Sequence, residues 1–368
     1  MQVMGGGLFD ADDRNGDFSA DTVSAPDSIR LVFVGDVMGH GNQIKGAWHD
    51  GGDSCYNYAP SIEGMKDYIS SADLAIANLE VTFAGAPYTG YPAFSSHHSL
   101  AVALKDAGFD MLVTANNHIM DRGPKGLKST LEALDSLGIP HTGSFKDSAA
   151  WKANNPLIME KNNFRLAFLS YTYGSNMAMP GKPQIVNKID TVRMAADLVR
   201  TREMNPDYII ACVHWGEEYQ NKENESQRQI ANFLARNGCN LIVGAHPHAI
   251  QPIKKIAVNT ADTVNIADSV LVAYSLGNFI SNQRWRYSDG GIALEVTLTK
   301  TDSTVNRLSH SYEPFWVHRY PRKNVQLYRM ILLKDYLSDM ESYSAVSEKD
   351  KELMMQFYKD TKNIIEKN

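Results

Sequence analysis

Six apolar, β-branched runs in this 368-residue chain each break off at a residue suited to holding a metal ion or a phosphate group. IRLVFVG runs into Asp36, DLAIA into Asn78 and Glu80, and FDMLVTA into Asn116, Asn117 and His118. DYIIACV runs into His214, CNLIVGA into His246 and His248, and SVLVAYSLG into Asn278. Four of the chain's 11 histidines fall at these positions, a concentration that solvated strand ends do not explain. Imidazole and carboxylate together with an amide oxygen suit borderline divalent ions such as Zn, Mn and Fe. A carboxylate can also bridge two ions about 3.5–4 Å apart, the separation used for in-line attack on phosphorus. On an extended segment the two rings of His-x-His point to opposite faces. The bend at Pro247 lets His246 and His248 turn toward one site.

The scaffold that must hold these residues alternates strands with helices. After the first strand, GAWHDGGDSCYNYAP reads as a Gly- and aromatic-rich loop, followed by a helix from Ser61 to Ala72. LAVALKDAG is a second helix, and a third spans about Lys125 to Leu137, opening after Pro124 and closing at Gly138. NPLIMEKNNFRLAFLSYT predicts a hairpin with Asn162-Asn163 at its tip. Ile189, Val192, Ala196 and Val199 recur at helical spacing. A polar helix covers residues 225 to 236, GGIALEVTLTK and SHSYEPFWVHRY are later strands, and helical patterns resume from Leu332. The alternation predicts an α/β core with largely parallel strands, in which sites form at the strands' carboxyl ends.

Composition narrows the classes. Hydrophobic residues at 43% and charged residues at 21% exclude a disordered or collagen-like chain. A formal charge of -6 gives no sign of a nucleic-acid surface. The three cysteines, Cys55, Cys212 and Cys239, share no CxxC spacing, which excludes a disulfide framework or zinc ribbon; Cys212 and Cys239 read as buried, inert thiols. No apolar stretch approaches the ~20 residues that span a bilayer. Residues 1–28 read as a flexible, solvated tail without the basic start and apolar core of an intact signal peptide, as a chain that had lost its leader also would. The glycines at 5–7 lack the flanking strand and helix of a phosphate loop.

Taken in order, VGDVMGHG, ANLE, TANNHIMDRG, VHWGEEY, VGAHPHAIQP and YSLGNFI resemble the CapA family of bacterial capsule-synthesis (poly-γ-glutamate) proteins over residues 29 to 285. The domain of that family is similar to a calcineurin-type metallophosphatase. The resemblance implies a four-layer α/β/β/α sandwich of two mixed sheets for the domain over residues 29–300. Residues 301–368 lie outside it, and their pattern predicts a C-terminal strand and helices packed on that core. It would place Asp36 on one metal, Glu80 between two, Asn117, His214 and His246 on the second, and His248 back on the first. His118 matches the position that protonates the leaving group, with Asp121 as its partner. Two departures weaken the first metal: Met38 stands where a phosphatase carries His, and Asn78-Leu79-Glu80 replaces a Gly-Asp-x-x-Asp motif. His40 is a candidate replacement ligand. The expectation is therefore one tightly held divalent ion (Mn, Zn or Fe) and a second, weaker one.

Candidate substrate contacts are Asn78, Asn116, Trp215, Glu217, Asn278 and Tyr91. The long connector from Thr82 to Ser99 reads as a lid that offers Tyr88, Tyr91, Phe94, His97 and His98. Arg122, at a helix start, is a candidate anion binder. The resemblance implies an extracytoplasmic, envelope-associated hydrolase acting on a phosphoester or polymer-linked bond of an anionic small molecule or polymer, alongside envelope biosynthesis proteins. The alternative is a non-catalytic polymer-binding or assembly component of capsule or polyglutamate export.

Overall fold

A computed structural model describes residues 27–258, 269–301 and 304–366. Of the tail expected over 1–28, residues 1–26 lie outside the described residues, and Asp27 and Ser28 already belong to the first strand. That strand, β1 (Asp27–Val37), leads to α1 (Gly41–Asp50), α2 (Ala59–Ser70), β2 (Leu74–Leu79), α3 (Ser99–Asp106), β3 (Met111–Val113), α4 (Gly123–Leu137) and β4 (His141–Thr142). Next come β5 (Ser144–Phe145), α5 (Ser148–Asn154), β6 (Leu157–Lys161), β7 (Phe164–Thr172), β8 (Ile185–Val186), α6 (Thr191–Glu203), β9 (Tyr208–His214), α7 (Glu225–Arg236) and β10 (Leu241–Ala245). The chain continues through β11 (Ile253–Ala257), β12 (Ser269–Ala273), β13 (Asn278–Ile280), β14 (Gly290–Thr301), β15 (Thr304–Arg322), β16 (Val325–Leu332), α8 (Leu333–Ser338) and α9 (Glu348–Glu366).

Two sheets carry the site. An 8-stranded sheet runs β16-β15-β14-β1-β2-β3-β4, with β13 also pairing β1, and a 6-stranded sheet runs β11-β12-β10-β9-β7-β6. Both are mixed rather than largely parallel. β1 to β4 pair in parallel while β14 to β16 are antiparallel, and parallel β7, β9, β10 and β12 have antiparallel edges in β6 and β11. Side chains alternate along each strand. Ile29, Leu31 and Phe33 therefore meet Phe168, Ile210 and Leu241 between the sheets. Val32 and Val34 face outward onto Met65 and Ile69 of α2 and Leu104 of α3. On the far side, Leu169 and Ala211 lie under Leu198 of α6 and Leu234 of α7. The result is the four-layer α/β/β/α sandwich that the resemblance implied.

The inner cluster continues into the C-terminal part, where Leu294, Trp316 and Ile331 pack with Tyr336 of α8 and with Met354 and Phe357 of α9. Residues beyond 301 thus supply two strands of the same sheet, and the boundary expected at 301 falls at the last residue of β14, which pairs with β15. Among the described residues no helix is long and apolar enough to cross a membrane.

Two local readings change. The glycine-rich stretch after β1 begins as a helix, α1, not a loop. A Cβ at Gly46 would lie 2.7 Å from the Gln326 carbonyl oxygen of β16, so this glycine serves helix–strand approach. In α6 the apolar stripe is not the buried face: Val192 is 80% and Val199 48% exposed, while Met194, Asp197, Leu198 and Thr201 are buried. Asp197 tolerates burial because its Oδ2 accepts the Tyr171 hydroxyl at 3.0 Å. The β6–β7 hairpin forms as expected, with Asn162 and Asn163 at φ 49° and 63°.

Candidate metal centre

The carboxyl ends of the two sheets meet at one point. Asp36, near the end of β1, lies in register with Asn78 of β2 and Asn278 of β13, and Glu80 follows β2 directly. From the other sheet, His214 ends β9, and His246 and His248 lie just past its neighbour β10. His246 and His248 adopt φ of 100° and 54°, left-handed backbone that is uncommon for such residues and is often found at functional sites. A Cβ at Gly244 would fall 2.0 Å from the Tyr274 carbonyl oxygen, so glycine lets the strand approach its neighbour before that turn.

Glu80 sits at the centre of the convergence. Its Oε1 lies 3.6 Å from His214 Nε2 and 3.8 Å from His248 Nε2. Asn117 Oδ1 lies 2.8 Å from the same His214 nitrogen. Two groups of ligand atoms come within 4.8 Å of one another: Glu80 with His214 and His246, and Asp36 with Glu80 and His248. His40 belongs to neither. Its Nδ1 accepts the Asn282 backbone N–H at 3.3 Å and lies 3.1 Å from Gln43 Oε1. Met38 packs in the helix-side core with Val37 and Phe94.

The electrostatics favour cation binding. Glu80 is fully buried, and neither carboxylate oxygen has a hydrogen-bond donor among the described residues. Burial, and then the Asp36 charge, raise its carboxyl well above the ordinary value. Burial pushes His214 well below its ordinary value, helped by His246 and His248. His246 is driven to about 3, mainly by burial. These imidazoles are therefore neutral, the form that ligates metals. His246 Nδ1 and Asn78 Oδ1 are also buried without a partner among the described residues. Buried acceptors left open together around one carboxylate fit a divalent ion.

His118 stands beside this centre. Its Nδ1 lies 2.7 Å from Asp121 Oδ2, which also accepts the Phe94 backbone N–H at 2.8 Å. The Phe94 ring meets the His118 ring edge-on at 4.6 Å. Part of the Thr82–Ser99 connector thus borders the site, with the 76% exposed Tyr91 packed against Phe94 at 6.5 Å. The rest turns elsewhere: His97 stacks on Tyr56, Tyr88 meets Tyr56 edge-on, and the His98 ring lies tilted against His97. Arg122 donates to Thr89 Oγ1 and so braces this connector.

Other expected contacts have structural partners. Asn116 donates to the Leu79 carbonyl at 2.7 Å and accepts the His118 backbone N–H at 3.1 Å, holding the turn. Asn78 donates to Asp36 at 2.7 Å and Asn278 to the Ser288 carbonyl at 2.7 Å. Trp215 is corrected outright. It is buried in the helix-side core, donating to the Tyr274 carbonyl at 2.9 Å. Glu217 is exposed, and it is the charge of its neighbour Glu218 that reaches Glu80 and Tyr219.

The sequence profile described as "Bacterial capsule synthesis protein PGA_cap" matches residues 30–283. The chain belongs to this capsule-synthesis family. It is 27% identical over 277 residues to "PGA biosynthesis protein CapA" of Bacillus subtilis (strain 168), the match covering 74% of this chain and 69% of that protein. With "Capsule biosynthesis protein CapA" of Bacillus anthracis it shares 26% over 276 residues, 70% of this chain and 61% of the relative. Among solved structures, a 5'-nucleotidase from Candida albicans SC5314 aligns with a TM-score of 0.43 and 12% identity over 92% of this chain and 58% of that one. A hypothetical protein from Thermus thermophilus aligns with a TM-score of 0.39 and 16% identity over 78% and 99%.

The part of the chain that matches the family holds the whole convergence, including residues that the sequence does not single out. Tyr173 lies 4.7 Å from the His246 ring and is 41% exposed. Asn176 Nδ2 lies 3.4 Å from His118 Nε2. Both follow β7 in the stretch YTYGSN. Read as a hairpin arm, β7 hides its role as a parallel strand beside β9, whose carboxyl end faces the same centre. In the stretch after His214, the aromatic ring that borders the centre is Tyr219, 6.1 Å from the His248 ring, and not Trp215.

Proposed function

We propose that this chain is a metal-dependent hydrolase serving capsule or poly-γ-glutamate synthesis, cleaving a phosphoester or polymer-linked bond in an anionic substrate. One observation carries the reading: a fully buried Glu80 carboxylate with no donor on either oxygen among the described residues, flanked by histidines of the opposite sheet. Glu80, His214 and His246 with Asn117 would hold one Mn, Zn or Fe ion. Asp36, Glu80 and His248 would hold a second more weakly, because Met38 replaces an imidazole and Asp36 already accepts hydrogen bonds. When bound, such ions polarise the scissile oxygen and activate water near neutral pH. His118, oriented by Asp121, would donate a proton to the leaving oxygen. The names of the relatives place them in capsule and PGA biosynthesis, and we read a corresponding envelope role here, outside the cytoplasm and alongside other biosynthesis proteins.

The test is hydrolysis of bis-p-nitrophenyl phosphate by metal-loaded and chelator-treated protein. Turnover that depends on metal and on His118 supports the reading. Metal binding without turnover on this diester or on oligoglutamate would replace it with the binding-component reading, which is favoured by Met38 standing in the core where an imidazole ligand is expected.

A further inference from the structure

The β13–β14 connection, β15 and α9 enclose a second pocket of about 360 Å³, within the range of ligand sites. We propose that this pocket binds an anionic group, a carboxylate or a phosphate, between the guanidinium groups of Arg284 and Arg319. Both arginines lie beyond residues 30–283, the part matched by the family.

Arg284 donates from Nη1 to the Val317 carbonyl at 2.8 Å, and its cationic carbon lies 5.9 Å from the Trp316 ring centroid. Its Nη2 is buried without a partner among the described residues. Arg319 donates from Nη1 to Asn282 Oδ1 at 3.1 Å. Neither guanidinium has a carboxylate within 4.0 Å among the described residues. The nearby carboxylates have hydrogen-bond partners of their own: Asp360 accepts Arg286 at 3.0 and 2.9 Å, Asp289 accepts the Trp316 indole N–H at 2.8 Å, and Asp350 accepts the Ser347 hydroxyl at 2.7 Å. The Asp289 and Asp350 charges still reach Arg284 and offset part of the Arg319 repulsion, without contacting its guanidinium. Burial, and then the Arg319 charge, push Arg284 down to about 10. Two neighbouring like charges, one with an unused buried donor, cost stability unless something negative lies between them. The planar fork of arginine matches carboxylate and phosphate oxygens.

A chain of contacts runs from the pocket toward the metal centre. Asn282, which accepts from Arg319, donates its backbone N–H to His40 at 3.3 Å. Trp285, 64% exposed, lines the pocket and stands 6.3 Å from the Tyr219 ring, itself 6.1 Å from His248. An extended substrate with repeated anionic groups would lie across Tyr219 and Trp285, with one group at the metal centre and another at Arg284 and Arg319. That role rests on the anionic substrate proposed above. The anion binding itself does not.

The experiment uses the full chain stripped of metal by chelator, which separates this site from any metal-held anion. Inorganic phosphate and a glutamate tetramer are titrated separately by calorimetry against wild type, Arg284→Gln and Arg319→Gln. The expected result is binding of at least one probe that weakens about tenfold or more in either variant. Tighter binding of the tetramer assigns a carboxylate ligand, and tighter binding of phosphate assigns a phosphoryl ligand. Should Arg284→Gln fail to fold, Arg319→Gln, which gives up a hydrogen bond to Asn282, decides. Absence of binding by wild type, or unchanged affinity in the folded variants, overturns the proposal whether or not the metal centre proves hydrolytic.

Discussion

His248 Nδ1 lies 3.0 Å from Asp36 Oδ2, a contact that joins the two sheets where their carboxyl ends meet. The same oxygen receives the His246 backbone N–H at 3.3 Å, and the other accepts Asn78 at 2.7 Å. Burial tends to raise the Asp36 carboxyl, but His248 and Asn78 outweigh it and hold the group below its ordinary value. Glu80, one strand over, has no such donors among the described residues and moves the opposite way. One carboxylate is satisfied by protein and the other calls for a cation.

That contrast predicts opposite effects of Glu80→Gln with and without metal. The Glu80 contribution to stability is full below its ordinary value of 4.5 and is lost as pH rises through the elevated folded value. In metal-free protein the substitution should therefore stabilise, by about 1–3 kcal/mol at neutral pH, the scale of an unsatisfied buried group. The gap between variant and wild type should widen as pH rises. The depressed His214 and His246 act in reverse, losing stability as pH falls below the ordinary 6.5, but they are common to both proteins. With metal present the order should invert, because only wild type gains ligand stabilisation. Thermal denaturation across pH, with and without chelator, checks both signs. A variant less stable in both conditions contradicts the assignment.

His118 and Asp121 should separate chemistry from metal binding. His118→Ala is expected to lower phosphodiester turnover about 10²–10⁴-fold while leaving metal content unchanged. Asp121→Asn should lower it less, since it keeps an oxygen near Nδ1 but loses the charge that orients the ring. Parallel rate and elemental measurements test this. A loss of metal in His118→Ala would make the residue structural.

Asp197→Ala should destabilise the fold by about 1–3 kcal/mol, because the buried Tyr171 hydroxyl loses its acceptor. Adding Tyr171→Phe should recover part of the loss. Urea unfolding of the single and double variants measures the coupling, and purely additive losses would show that the hydrogen bond contributes nothing.

The sequence exposes the centre better than the scaffold. Asp36, Glu80, His214, His246 and His248 stand out because each interrupts an apolar run, and those runs end at the same edge of the sandwich. The outer helical faces are less legible, because burial there follows partners rather than apolarity. Asp197 goes inside with Tyr171, while Val192 stays in water. Gly46 reads as a loop residue until β16, far along the chain, is found against α1. Trp215 and Glu217 adjoin His214 in sequence, yet alternation past the strand end sends the indole into the core. Tyr173 is hidden because a hairpin arm and a parallel core strand share one residue pattern.

Metal content titrated against added Mn²⁺ or Zn²⁺ tests the central claim most directly. Wild type should retain one ion per chain through gel filtration in metal-free buffer and take up a second only when metal is supplied. His246→Ala should lose the retained ion, since its ring belongs to the site with Glu80 and His214. Protein that takes up no ion at any added concentration, or His246→Ala that still retains one, would contradict a metal centre built on Glu80.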